Sequence, residues 1–208
     1  MACQRHSPNT AIVSIVKSQY STVREDLSEA LDLSGPPNID CRNVAIKINL
    51  CSARTPETGA ITHPLFLDAV LEYLRRNFSG LHIYVVESDA TTALADFFVK
   101  WYGFLTILDK WEAKWVNLSK QDSISKRIDG RYFKEISVPQ TLEICHFISL
   151  AKMKTNFATR ITCALKNQFG CLPDIRKIKY HRNLDDVIVD VNLAFRPDFS
   201  IVDGIVGM

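Results

Sequence analysis

No stretch of this chain approaches the roughly 20 consecutive apolar residues that a bilayer-spanning helix needs. The N-terminus also lacks the long apolar core of a secretory signal, because the run Ala11–Val16 is only strand-sized. No C-x₂-C pair occurs among the six cysteines (Cys3, Cys41, Cys51, Cys145, Cys163, Cys171), and Cys163 and Cys171 are eight apart. That spacing argues against an iron–sulfur or zinc framework within the chain and for inert thiols in a reducing cytoplasm. The histidines show no paired ligand spacing, and no phosphate loop, dinucleotide glycine fingerprint or nucleophile elbow is present. Excess charge is missing too. With 25 Lys and Arg against 23 Asp and Glu, the formal net charge of +2 excludes a uniformly basic nucleic-acid coat or a polybasic membrane anchor.

What is present is an ordinary globular composition, with 47% hydrophobic and 23% charged residues over 208 positions. At roughly 150 residues per domain, residues 1–208 read as a single domain. Short β-rich runs alternate with helical patterns. Ala11–Val16 reads as a first strand, and Thr22-x-x-Glu25 as a capping box opening a helix with Val23, Leu27, Ala30 and Leu31 on one face. Asn43–Asn49 reads as a second strand. A helix starting at Pro64 follows, with Leu67, Val70, Leu71, Leu74 and Phe78 buried and Asp68, Glu72, Arg75 and Arg76 facing water. Leu81–Val86 is a third strand, and Leu94, Phe97, Phe98 and Trp101 mark the buried face of a helix stopped by Gly103.

Within 120–140, Ile124–Ile128 and Arg131–Ile136 flank Asp129-Gly130 as an inserted β-hairpin with a tight turn. Ile144–Leu150 reads as a buried strand and Thr159–Phe169 as a helix with Ile161, Leu165 and Phe169 in the core. Asn183 caps a further segment (Leu184, Val187, Ile188, Val191, Phe195) that reads as a helix, though its β-branched content also suits a strand. Phe199–Val202 is the last strand. Repeated βα units imply an α/β fold, a largely parallel sheet with helices on both faces plus the hairpin. Ligands of such sheets bind beyond the carboxyl ends of the strands.

Those ends carry the candidate residues. Lys47 and Asn49 follow the second strand, and their loop leads to His63. Glu87, Ser88 and Asp89 follow the third. Lys152, Lys154, Thr155 and Asn156 follow the strand ending at Leu150, and Asp203 follows the last. Lys152-Met153-Lys154 puts both ammonium groups on one side of an extended segment, a cradle for phosphate or carboxylate. Spacing alone does not separate that cradle from solvated loop lysines. Lys47 interrupts an apolar run, so it needs a ligand or a carboxylate, with Asp89 or Asp203 available as structural partners. Lys166 and Asn167 share a second face of the expected 159–169 helix, and His63 and His181 lie in loops as candidates for proton transfer. Charge is distributed unevenly: residues 151–182 hold 8 basic and 1 acidic side chains. Apart from Phe157 and Tyr180, this segment lacks the interleaved aromatics of a nucleic-acid platform.

Six ordered stretches from Val44 onward resemble one family. They are Val44–Leu50, Gly59–Pro64, Ile148–Thr155, Ala164–Cys171, Tyr180-His181 and Ile201–Met208, and the family is domain-of-unknown-function family 362. The resemblance matches at Lys47, Asn49, Thr62, His63, Pro64, Lys152, Lys154, Thr155, Lys166, Asn167, Gly170 and His181. It departs at Asn156, where the family usually has histidine, and at Glu87-Ser88-Asp89, where it has a Gly-Asp-Ser-like turn. Members are often fused to, or encoded beside, ferredoxin-type iron–sulfur domains. The resemblance therefore implies that any cluster belongs to a partner or to an extension beyond Met208, where members continue and where this domain is expected to be truncated.

Two functions are weighed. One is a domain binding a small anionic metabolite, held by Lys47, Lys152, Lys154 and Lys166 and linked to an iron–sulfur donor. The other is a non-catalytic partner of a ferredoxin-type protein.

Overall fold

The structure, a computed structural model, describes residues 11–208; Cys3 and His6 lie outside the described residues. The elements in chain order are α1 (Val23–Ser34), β1 (Asn43–Lys47), α2 (Pro64–Asn77), β2 (His82–Glu87), α3 (Ala95–Trp101), α4 (Phe104–Lys110) and β3 (Lys114–Asn117). Then come β4 (Ser123–Arg127), β5 (Glu135–Pro139), α5 (Gln140–Ile144), β6 (His146–Lys152), β7 (Lys154–Asn156), β8 (Arg160–Thr162), α6 (Ala164–Asn167), α7 (Leu184–Ala194) and β9 (Phe199–Asp203). Five strands form the central sheet in the order β3-β2-β1-β6-β9, all parallel.

Alternation along the strands divides the core in two. Val44, Ile46, Ile83, Val85, Ile148 and Leu150 face α1, α2 and α4, whereas Ala45, Val86 and Phe147 face α5 and α7. Central parallel strands are covered on both faces, which is why β6 (HFISLAK) is buried at every residue. The chain moves outward in one direction through β1, β2 and β3, then returns to the opposite side with β6 and β9. The direction of winding therefore reverses between β1 and β6.

Several sequence expectations need correction. Ala11–Val16 forms no strand; Ile12, Val13 and Ile15 are 70%, 80% and 92% exposed. β-propensity without a neighbouring strand to pair with has nothing to stabilise. Thr22 does not cap α1 with its side chain and bonds Asp26 instead, and Asn183 likewise makes no side-chain cap on α7, which is a helix. Asp68 and Glu72 are buried rather than water-facing. Arg24 of α1 bonds both carboxylates, and Lys110 and Trp111 bond Asp68 at 2.8 and 2.7 Å.

Of the four residues expected on the buried face of the third helix only Phe98 points inward, and Ala95 and Val99 join it there. Leu94, Phe97 and Trp101 are exposed, because the chain turns at Gly103 (φ 72°) and a second helix, α4, supplies Phe104 and Leu108 to the core. The edge strand β3 has too few apolar residues (KWVN) to stand out in the sequence. The hairpin exists, but Arg127 pairs with Glu135, so residues 128–134 form a long loop rather than a two-residue turn. That loop is held by Asp190 of α7, whose carboxylate accepts from the backbone N–H groups of Arg131, Tyr132 and Phe133 at 2.7–2.8 Å.

The expected helix Thr159–Phe169 is instead the small hairpin β7–β8, the one-turn α6 and a 3-10 turn over Gln168–Cys171. Arg160 takes a positive φ of 63°, which no helix accommodates, and the β-branched Thr159, Ile161 and Thr162 favour extended chain. Ile161 and Leu165 consequently face outward. Among the described residues no helix is long and apolar enough to cross a membrane.

Candidate functional site

Parallel register brings the polar strand ends together. Lys47 lies opposite Val86 and Ser149, and Lys152 lies directly opposite Asp203. Glu87, one residue beyond Val86, therefore meets Lys47 at 2.9 Å with both side chains buried. The Glu87 carboxylate also accepts from the backbone of Leu50 (3.0 Å) and Ser88 (2.9 Å), which satisfies its remaining lone pairs. Gly170 packs so closely on this pair that a Cβ there would stand 2.7 Å from both the Lys47 Nζ and a Glu87 oxygen. The partner of Lys47 is thus Glu87, not Asp89 or Asp203. Asp89 accepts from Ala95 N and Asn117 Nδ2 at 2.8 and 3.0 Å, holding the start of α3.

Asp203 pairs with Lys152 at 2.8 Å, and both side chains are fully enclosed. The Tyr20 hydroxyl donates to Asp203 at 3.1 Å and lies 3.2 Å from the Lys152 ammonium. The Tyr20 ring stacks on His63, with centroids 3.7 Å apart. His63 is the N-cap of α2, and its Nδ1 accepts from Leu65 N at 3.2 Å. Burial moves three of these groups toward their neutral forms. Lys152 and His63 are lowered, with the Asp203 charge opposing, while Tyr20 is raised by burial and by the adjacent carboxylate.

A buried hydrogen-bonded chain crosses the reversal point between β1 and β6. Lys154 Nζ donates to Asn49 Oδ1 (2.9 Å), Asn49 Nδ2 to Asn167 Oδ1 (3.3 Å), and Asn167 Nδ2 to both Lys47 O and Ser149 Oγ (3.1 Å each). Ser149 continues to Gln168 (2.8 Å) and Gln168 to Asn192 (3.1 Å). Lys154 also bonds the Ala60 carbonyl and the sulfur of exposed Cys51, the latter at 3.1 Å. Lys152 and Lys154 are both buried while Met153 between them is exposed, as alternation in extended chain requires.

Opposite Lys154 in the β7–β8 register stands Thr162, 3% exposed, whose hydroxyl has no hydrogen-bond partner. Lys166 is half-buried over the ring of Phe169, and no carboxylate pairs with it among the described residues. Burial, with repulsion from Lys154 and Lys47, pulls the Lys166 ammonium below the ordinary lysine value, the Cys51 thiol opposing. Deeper in, Lys177 donates to the Asp89 carbonyl at 2.5 Å, and burial pushes it down to about 8 despite nearby Glu87.

The remaining candidates sit apart from the lysines. Thr155 bonds the Met208 carbonyl through both its N–H and its hydroxyl (2.8 Å each). Asn156 caps the β7–β8 turn by accepting from Ala158 and Thr159. His181 Nδ1 lies 3.3 Å from Lys177 O, and its ring meets Phe169 edge-on. Tyr20, Thr162 and Lys177 carry no motif that singles them out in the sequence. Glu87 is visible there as a strand-end acid, but only register identifies its partner. Cys145 and Cys171 are buried among apolar side chains, and burial pushes both thiols up to about 12. Among the described residues no three His, Cys, Asp or Glu side chains gather as a metal site.

No curated protein and no solved structure matches the chain. Residues 44–208 match the family described as Domain of unknown function (DUF362). The match runs from the second residue of β1 to Met208 and leaves α1 and Tyr20 outside it. With that much of its length matched, the chain belongs to the DUF362 family.

Proposed function

We propose that the chain binds a small anionic ligand, carrying a phosphate or a carboxylate, at the carboxyl ends of β1 and β6. Lys154 is the observation that carries this reading. It is 7% exposed, yet its hydrogen bonds go to an amide oxygen, a carbonyl and a sulfur rather than to a carboxylate. A buried ammonium without a counter-charge is costly, and a ligand oxygen would offset that cost. The neighbouring Thr162 hydroxyl, buried and unpartnered, supplies an unused donor, and Lys166 supplies a second uncompensated cation. Lys47 and Lys152 fall back to a supporting role, since Glu87 and Asp203 already neutralise them. The position agrees with the rule that doubly wound sheets bind ligands where the strand order reverses.

Proton transfer at such a ligand falls to His63 rather than His181. His63 is half-buried at the same strand ends beside Lys152 and Asp203, whereas His181 turns toward Lys177 and Phe169. The test is calorimetric titration of the full chain with inorganic phosphate, acetate and malonate, alongside Lys154→Met and Lys166→Met. Neither substitution strands a buried carboxylate, so both variants should fold as the wild type does. Binding that weakens about tenfold or more in each variant supports the reading. Wild-type protein that binds none of these anions, or variants that bind like wild type, would overturn it.

A further inference from the structure

One apolar groove borders the lysine cluster. It is an open groove of about 390 Å³ between β8, α6 and α7, and its lining includes Ile161, Ala164, Leu165, Lys166, Asp185 and Ile188. Ile161 and Leu165 are 53% and 66% exposed, although their sequence pattern suits a buried face. Lys166 joins the groove to the polar site. Its side chain is part of the groove lining, and its ammonium lies 5.4 Å from the centre of the Phe169 ring.

We infer that the ligand is amphipathic: a monoanionic head held by Lys166, with an unbranched or aromatic apolar tail lying in the groove between β8, α6 and α7. This rests on the anion-binding reading above and narrows it to a substrate class. The volume lies at the low end of the range for small-molecule sites, roughly 300–1,000 Å³, which suits a tail of modest length better than a protein surface. A cation at one end and apolar walls along the rest match a fatty or arylalkanoic carboxylate, or its phosphate counterpart. Asp185 in the lining disfavours a second negative charge in the groove, so dicarboxylates are selected against.

The experiment titrates the full chain with acetate, butyrate, hexanoate and octanoate, with octanol as the uncharged control and inorganic phosphate as the tail-less anion. Affinity is expected to rise about fourfold per methylene across the series. Octanol is expected to bind at least tenfold more weakly than octanoate. Leu165→Ser, a substitution at an exposed position, should flatten the chain-length series. If phosphate or acetate binds and octanoate binds no tighter, the groove inference falls and the anion reading stands. If no anion binds, both fall. If octanoate binds equally to wild type and to Lys166→Met, the tail is held without the head, and the inference is likewise overturned.

Discussion

Replacing Lys152 by methionine tests whether the strand ends are held by a buried ion pair or merely decorated with charge. Lys152 and Asp203 are 0% and 1% exposed and 2.8 Å apart. Methionine keeps most of the apolar volume of the stem but leaves the Asp203 carboxylate buried without a cation. Among the described residues, the Tyr20 hydroxyl (3.1 Å) and Ile205 N (3.2 Å) remain as its donors. Breaking a buried pair in this way costs about 3–5 kcal/mol, about a fifth or more of the roughly 5–15 kcal/mol that keeps a domain folded. At about 2–4 °C per kcal/mol for a domain of this size, Tm should fall by roughly 6–20 °C. Lys152→Met/Asp203→Asn removes both charges and keeps an acceptor for Tyr20 and Ile205. It should return to within about 1–2 kcal/mol of wild type. Urea denaturation of the wild type, Lys152→Met, Asp203→Asn and the double variant, with midpoints compared at constant slope, reads the coupling directly. A single variant costing under about 1 kcal/mol, as an exposed pair would, refutes the reasoning. A double variant as unstable as the sum of the singles does so too.

Two further outcomes follow from the same geometry. Burial holds the His63 imidazole below its ordinary 6.5, so the unfolded chain takes up this proton first as the pH drops. The His63 contribution is therefore complete above about pH 6.5 and is lost as the pH falls below it, when Nδ1 can no longer accept from Leu65 N. The stability difference between wild type and His63→Asn, measured from pH 8 to 5, should shrink toward acid; a constant difference contradicts it. Asp190→Ala strips three backbone N–H groups of their acceptor, should cost about 2–4 kcal/mol, and should speed hydrogen exchange at Arg131, Tyr132 and Phe133. Unchanged exchange at those amides would show that the loop is held by something else.

The sheet is legible in the sequence because parallel strands buried on both faces read as short apolar runs, and Asn43–Lys47, His82–Glu87 and His146–Lys152 all do. The lysines are legible for the complementary reason, that each interrupts or ends such a run. Two kinds of information are absent from local pattern. Backbone conformation at one residue, Arg160 with its positive φ, converts an expected helix into a hairpin and turns Ile161 and Leu165 outward. Register then decides which acid meets which base, so Glu87 rather than Asp89 neutralises Lys47. The basic excess of residues 151–182 reads in sequence as a charged segment. The fold encloses Lys152, Lys154 and Lys177, so three of the segment's eight basic side chains are internal.

The hydrogen bonds that define the strand-end site join residues remote in the chain: Asn49 to Lys154 across 105 positions, Lys47 to Asn167 across 120 and Tyr20 to Asp203 across 183. Closing loops of this length is entropically costly, so these contacts are expected to form after the local ones. Translation imposes the same order, since Tyr20 must wait for Asp203 to leave the ribosome. A molecule bound there would thus recognise only the finished topology. It would slow hydrogen exchange throughout the sheet, not merely around the lysines, by an amount set by its concentration relative to its dissociation constant.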